Sequence, residues 1–347
     1  MATMTIPQTT LDQATPRPTD PLLDIRGLKT HFFTRTGVVK VLDGLDLQVG
    51  RGEILGLVGE SGSGKSVTGF SIVGLLKRPG WIVGGEITFE GRDLTTLPPE
   101  AMQELRGKQI SMIFQNPRSS LNPVIPIGKQ LAQVLQYRRD LKGKAAWEAA
   151  VDMLRTVHIP EPERRMRAYP HQLSGGMAQR VMIAMAISCS PKLLIADEPT
   201  TGLDVTIEYQ IIHLLKEMRD LTGTSVVVIT HDLNMAAEVC DRIAVMYAGT
   251  IVEDAPVQDF FTAPRHPYTV GLLASRPHLA VEDEIPTIPG NVPDLITRPI
   301  GCPFHPRCRW GTNVCVEQFP PLRPVGPRHF AACHYAEEVA RDVVAAG

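Results

Sequence analysis

The segment GLVGESGSGKSVTGF, residues 56–70, constrains the fold more than any other part of this chain. Within it, Gly59, Glu60, Ser61, Gly62, Ser63, Gly64, Lys65 and Ser66 fit the pattern G-x-x-x-x-G-K-[ST]. That pattern works only between a buried strand and a helix. EILGLVG (53–59) supplies a short apolar run suited to a buried strand, and a helix is expected to begin near Lys65. The glycines let successive backbone N–H groups turn toward phosphate oxygens. The helix start adds partial positive charge. Lys65 is then expected to reach the β- and γ-phosphates of a nucleotide, and the Ser66 hydroxyl to ligate Mg²⁺.

The surrounding pattern alternates strand and helix. Leu45, Leu47 and Val49 alternate with Asp46 and Gln48, and residues 85–91 alternate again. Residues 109–114 read as a strand. KLLIAD (192–197) and SVVVIT (225–230) are apolar runs bounded by polar residues and read as interior parallel strands. Helical patterns fall at 127–157, 174–189 and 206–221. The fold class expected is α/β, a parallel sheet with helices on its faces. Ten prolines fall between Pro286 and Pro327, too many for regular elements, so a separate, loop-rich tail is expected after about Pro286. The first 20 residues lack the basic start and apolar core of a secretion signal and read as a disordered tail on a cytosolic protein. No apolar run approaches the roughly 20 residues a membrane-spanning helix needs.

A second acidic site follows the phosphate loop. In LLIADEPTTGLD (193–204), Asp197 ends an apolar strand, where a carboxylate can hold Mg²⁺ through water. Glu198 is next, positioned to orient or polarise an attacking water. His231 ends the 225–230 strand, where its imidazole can contact the γ-phosphate and keep Glu198 and the water in register.

QLSGGMAQR (172–180) completes a set of six motifs in order: the phosphate loop, Gln115, the segment 173–177, Asp197-Glu198, Leu203-Asp204 and His231. Over residues 23 to about 275 the chain resembles the nucleotide-binding subunits of ATP-binding-cassette (ABC) transporters. The resemblance implies a P-loop NTPase cassette at 22–275, with an antiparallel β subdomain and a helical subdomain at about 116–180. An N-terminal tail (1–21) precedes it and an extension (276–347) follows. Two such subunits would sandwich two ATP molecules head to tail. Ser174 would cap a helix whose Gly175 and Gly176 N–H groups face the γ-phosphate bound to the opposite subunit, and Asp204 lies in the matching set. Met177 stands where many members have Gln. Gln115 would touch Mg²⁺ and the water, while its loop meets the membrane partner. Phe32 resembles the adenine-stacking aromatic, with Phe33 the second candidate and burial in a strand the other account of Phe32.

RHPYTVGLL (265–273) and the cysteines after it look like the ATPase subunits of dipeptide and oligopeptide importers; nickel, glutathione and some oligosaccharide importers share the pattern. The implied partners are a homologous but different ATPase subunit, two permease subunits and, indirectly, a substrate-binding protein. The implied place is peripheral, at the cytoplasmic face of the inner membrane. Soluble cassette ATPases acting on DNA or ribosomes carry a long inserted coiled coil or two cassettes. Neither is present here, and the net charge of −2 offers no basic field for nucleic acid.

Cys302, Cys308, Cys315 and Cys333 are spaced C-x5-C-x6-C-x17-C. Stable disulfides are not expected in a reducing compartment. Four thiolates can complete a tetrahedral zinc site or hold a [4Fe–4S] cluster. The C-x2–4-C pairs usual for zinc are absent, and the resemblance favours the cluster. His305, His329 and His334 are alternative ligands. Cys189 and Cys240 fall in apolar helical patterns and read as packed core thiols.

Overall fold

The computed structural model describes residues 20–275 and 287–346, so the N-terminal tail, apart from its last two residues, and the start of the extension lie outside the described residues. The central sheet has eight strands in the order Arg323–Gly326, His329–Ala331, Thr250–Pro256, Arg242–Tyr247, Ile54–Val58, Ser225–Thr230, Leu193–Asp197 and Ile110–Ile113. The five from Arg242–Tyr247 to Ile110–Ile113 run parallel, and the three on the other side are antiparallel.

The apolar runs at 54–58, 193–197 and 225–230 are buried throughout because alternate side chains feed two different cores. Ile54, Val58, Leu194, Ala196, Val226 and Val228 pack toward the helices Gly175–Ile187, Val205–Thr222 and Leu233–Val239. Leu55, Leu57, Leu193, Ile195, Val227 and Ile229 pack in the other core, with a four-stranded antiparallel sheet and Ile72 of the helix Lys65–Ile72. That second sheet has the order Gly37–Val49, Leu23–Thr34, Gly80–Phe89 and Arg92–Asp93. The helices Ile127–Arg139 and Gly143–Thr156 bury Leu131, Leu135, Ala146, Ala150 and Leu154 in the same core as Gly175–Ile187. Among the described residues no helix is long and apolar enough to cross a membrane.

The extension differs from the expectation of a separate tail. Its hairpin joins the central sheet, with Glu253 opposite Ala331 and Asp254 opposite Phe330. Cys302, Phe304 and Cys315 belong to the main hydrophobic core, where the Phe304 ring meets Tyr247 edge-on at 5.2 Å and Tyr268 at 5.4 Å. A stretch at 294–298 lies along the antiparallel sheet. Lys40 N–H donates to Leu295 O at 3.0 Å, and Arg298 pairs with Asp43 at 3.3 Å. The prolines suppress regular structure as expected, yet the segment borrows its core and its hydrogen bonds from the cassette. Glu253, with no exposed surface, accepts from the N–H groups of Arg265 and His266 and lies 2.8 Å from His329 Nε2. His329 is therefore engaged away from the cysteines.

Candidate nucleotide site

The strand Ile54–Val58 delivers the chain to Gly59 at the C-terminal edge of the parallel sheet, where ligands of such sheets bind. Gly59 has φ +152°, and a Cβ there would lie 2.2 Å from Met246 O, so only glycine fits. The loop then enters the helix Lys65–Ile72 through Gly64 at φ +107°. Lys65 is buried and its Nζ donates to Gly59 O at 2.7 Å and Glu60 O at 2.9 Å. Burial pulls its pKa down, against the attraction of Glu198, Asp197 and Glu60. The ammonium thus sits under the loop, satisfied by carbonyls alone. Ser63 Oγ is buried and finds no hydrogen-bond partner among the described residues, an orphan suited to an incoming oxygen.

Parallel strand pairing brings the second acidic site alongside. Ser66 Oγ donates to Asp197 Oδ1 at 2.9 Å across 131 residues of sequence. Asp197 is 3 % exposed, and burial raises its pKa, opposed by the Ser66 hydrogen bond. Glu198 turns out of the strand with φ +46°, a left-handed conformation costing a non-glycine residue about 1–2 kcal/mol. Its N–H donates to Ile229 O at 2.9 Å, which anchors the strained residue. Three side chains then surround its carboxylate. Gln115 Nε2 donates to Oε2 at 2.5 Å, Thr201 Oγ1 donates to the same oxygen at 2.9 Å, and His231 Nδ1 lies 3.4 Å from Oε1. A carboxylate held on both oxygens beside a phosphate loop can orient a water for attack on phosphorus.

Ser174 accepts a hydrogen bond from Met177 N at 3.3 Å and caps Gly175–Ile187. Gly176 packs so tightly on Val205–Thr222 that a Cβ would come 2.6 Å from Ile207 Cγ2. Asp204 caps that second helix by accepting from Ile207 N at 3.0 Å. Both caps lie at helix starts that can face an anion. Phe32 is half-buried on the strand Leu23–Thr34, and its ring lies over Gly80, where a Cβ would come within 2.8 Å; Phe33 is 50 % exposed.

Glu60 departs from the expectation of a phosphate-facing residue. Its N–H donates to the Tyr268 hydroxyl at 2.8 Å. Its carboxylate accepts two hydrogen bonds from the Arg307 guanidinium, at 2.8 and 3.1 Å. Sequence reasoning missed Thr201, Tyr268 and Arg307. Thr201 was findable, three residues past Glu198; Tyr268 lies within the 265–273 pattern without a sign of its contact with the loop, and Arg307 carries no local signal.

The four cysteines of the extension, with His266, His305 and His334, line one small cavity of about 10 Å³. Burial, helped by the charge of the neighbouring thiolates, raises the pKa of Cys302 to about 11 and that of Cys333 to about 12. Cys308 shifts the same way. Among the described residues no group of three or more His, Cys, Asp or Glu side chains is arranged to hold a metal ion, so a cluster site is not shown. Cys240 is buried, with its thiol pKa pushed up by that burial, and behaves as a core residue.

Comparison with known proteins fits this geometry. The ABC transporter family model matches residues 42–201. The oligopeptide transport ATP-binding protein OppD of Salmonella typhimurium is 48 % identical over 319 residues, covering 92 % of this chain and 95 % of that protein. The chain belongs to the ATP-binding subunits of ABC transporters. A second relative of this ABC family, a probable peptide ABC transporter ATP-binding protein of Sinorhizobium fredii, is 50 % identical over 92 % of this chain and 96 % of its own length. The model of the oligopeptide/dipeptide transporter C-terminal region matches residues 252–315, which takes in three of the four tail cysteines. Among solved structures, a dimeric ATP-binding cassette in a post-hydrolysis state with ADP and phosphate aligns at a TM-score of 0.62 and 27 % identity. It covers 68 % of this chain and 98 % of that one. The shared part is the ABC cassette.

Proposed function

We propose that this chain is the ATP-hydrolysing subunit of a membrane importer for dipeptides and oligopeptides. The observation that carries the reading is the convergence of Ser66–Asp197 and Gln115–Glu198–His231 beside the phosphate loop. The names of the relatives supply the peptide cargo. Nucleotide binding would draw Lys65 from its loop carbonyls onto the β- and γ-phosphates. The backbone N–H groups of Ser61 to Ser66 would cradle the same oxygens, and Phe32 would stack on the base. Ser66, Gln115 and Asp197 are the residues that would hold Mg²⁺, which supplies charge neutralisation at the phosphates when bound. Glu198, fixed by Gln115, Thr201 and His231, would orient the water.

Ser174, Gly175, Gly176 and Asp204 would close the corresponding site of a second, homologous ATPase subunit in a head-to-tail sandwich. The region 116–180 would receive two permease subunits at the cytoplasmic face of the membrane, with a substrate-binding protein acting on their far side. The domain plan proposed is a tail at 1–21, the ABC ATPase at 22–275 and the extension at 276–347. For the extension we take the four cysteines to hold a [4Fe–4S] cluster. What supports the reading is donor chemistry alone, four soft thiols lining one cavity, a set that zinc also takes.

Glu198→Gln in the assembled importer tests the function. ATP binding should persist while hydrolysis and peptide uptake fall together by about 10² or more, the scale of a lost general base. Hydrolysis near the wild-type rate at both sites would remove Glu198 from the role of water-positioning base.

A further inference from the structure

Arg307 lies in the extension, 247 residues from the phosphate loop, yet it grips the second residue of that loop. Its side chain is 5 % exposed and that of Glu60 is 27 % exposed. The guanidinium is held on every side. Nε donates to Pro289 O at 2.8 Å, and Nη1 donates to the Tyr247 hydroxyl at 3.3 Å as well as to Glu60. The same cation lies 5.8 Å from the ring centres of Tyr247 and Phe304. Arg307 closes the short helical turn His305–Arg307 between Cys302 and Cys308, so its position is fixed by the cysteine-bearing fold.

The consequence for the nucleotide is electrostatic. Glu60 is the only acidic residue of the loop 59–66, and a triphosphate must settle beside it. A bidentate arginine both cancels that charge and fixes where the carboxylate points. The Glu60 N–H, bound to Tyr268, holds the backbone at the same position.

We propose that Arg307 is a positioning residue for the nucleotide site: it draws the Glu60 carboxylate away from the phosphates and neutralises it, so that the extension sets the affinity of the phosphate loop for ATP. This rests on the reading of residues 59–66 as the ATP site.

The experiment measures ATP affinity of the full chain by titration. Wild type and Lys65→Ala come first; if the lysine variant binds as tightly as wild type, the ATP-site reading fails before this one is touched. Given that control, Arg307→Ala should raise the Kd for ATP about tenfold, the scale of one uncompensated charge near the phosphates. Glu60→Gln alone should raise the Kd less than Arg307→Ala does, since it removes the charge that Arg307 neutralises. Glu60→Gln combined with Arg307→Ala should restore most of the affinity, because no stray carboxylate remains. Unchanged affinity in Arg307→Ala overturns the proposal. So does a double variant as weak as Arg307→Ala, since the loss would then be one of scaffold alone. If Arg307→Ala does not fold, Arg307→Lys serves: it keeps the charge but loses the two-pronged grip, and an expected threefold rise in Kd stands against no change.

Discussion

Lys65 is the residue on which the nucleotide reading turns. Buried beneath the loop, it donates to two carbonyls and makes no direct ion pair among the described residues. Its ammonium is therefore stored where a phosphate can recruit it. Lys65→Ala should abolish tight ATP binding, because the phosphates lose their direct cation, and a titration of the variant checks it. Residue roles of this kind were legible because they are local. The glycines, the lysine and the serine occupy fixed offsets in one loop, and the helix-capping role of Ser174 follows from its place before a helical pattern. The cap made by Asp204 emerges only from the structure. The Glu60–Arg307 pair was not legible, since neither residue has any pattern in its own neighbourhood that points to the other.

Among the elements, the interior strands were the most legible part of the chain. The runs read at 192–197 and 225–230 are the strands Leu193–Asp197 and Ser225–Thr230, since a strand buried on both faces must be apolar throughout. The hairpin at 323–331 was hidden because Pro324 and Pro327 break the pattern, and its pairing is supplied by Thr250–Pro256. Where the antiparallel edge meets the parallel strands, Arg242 is buried between Glu53, at 2.7 Å, and Asp254, at 2.6 Å. Arg242→Met would leave two buried carboxylates unpaired and should destabilise the protein by about 3–5 kcal/mol in denaturant unfolding. Burial alone would raise the Glu53 pKa, but the Arg242 hydrogen bond and charge outweigh it and hold the carboxyl below the usual range. Its contribution is thus present above about pH 4.3, the ordinary glutamate value, and is lost as pH falls through the depressed one. The melting temperature should drop over that acid window, and Glu53→Gln should remove this part of the slope.

At the scale of the whole molecule, the extension and the cassette are one packed body. Composition suggested otherwise, because a proline-rich stretch signals missing regular structure and says nothing of where its few apolar side chains go. Cys302, Phe304 and Cys315 go into the cassette's own core. Replacing Cys302, Cys308, Cys315 or Cys333 with serine should therefore do two things. Purified wild type should carry iron, approaching four per chain with broad absorbance near 400 nm, and each variant should lose it. Each variant should also bind ATP less tightly, because the turn that holds Arg307 loosens with the cysteines. Stoichiometric zinc without iron after anaerobic preparation would replace the cluster with a zinc knot. The hairpin at 323–331 has a further consequence in time. It is made about 70 residues after Thr250–Pro256, yet it covers the edge of that strand. During synthesis that strand waits bare, offering its backbone to any neighbouring nascent chain until the hairpin has been made.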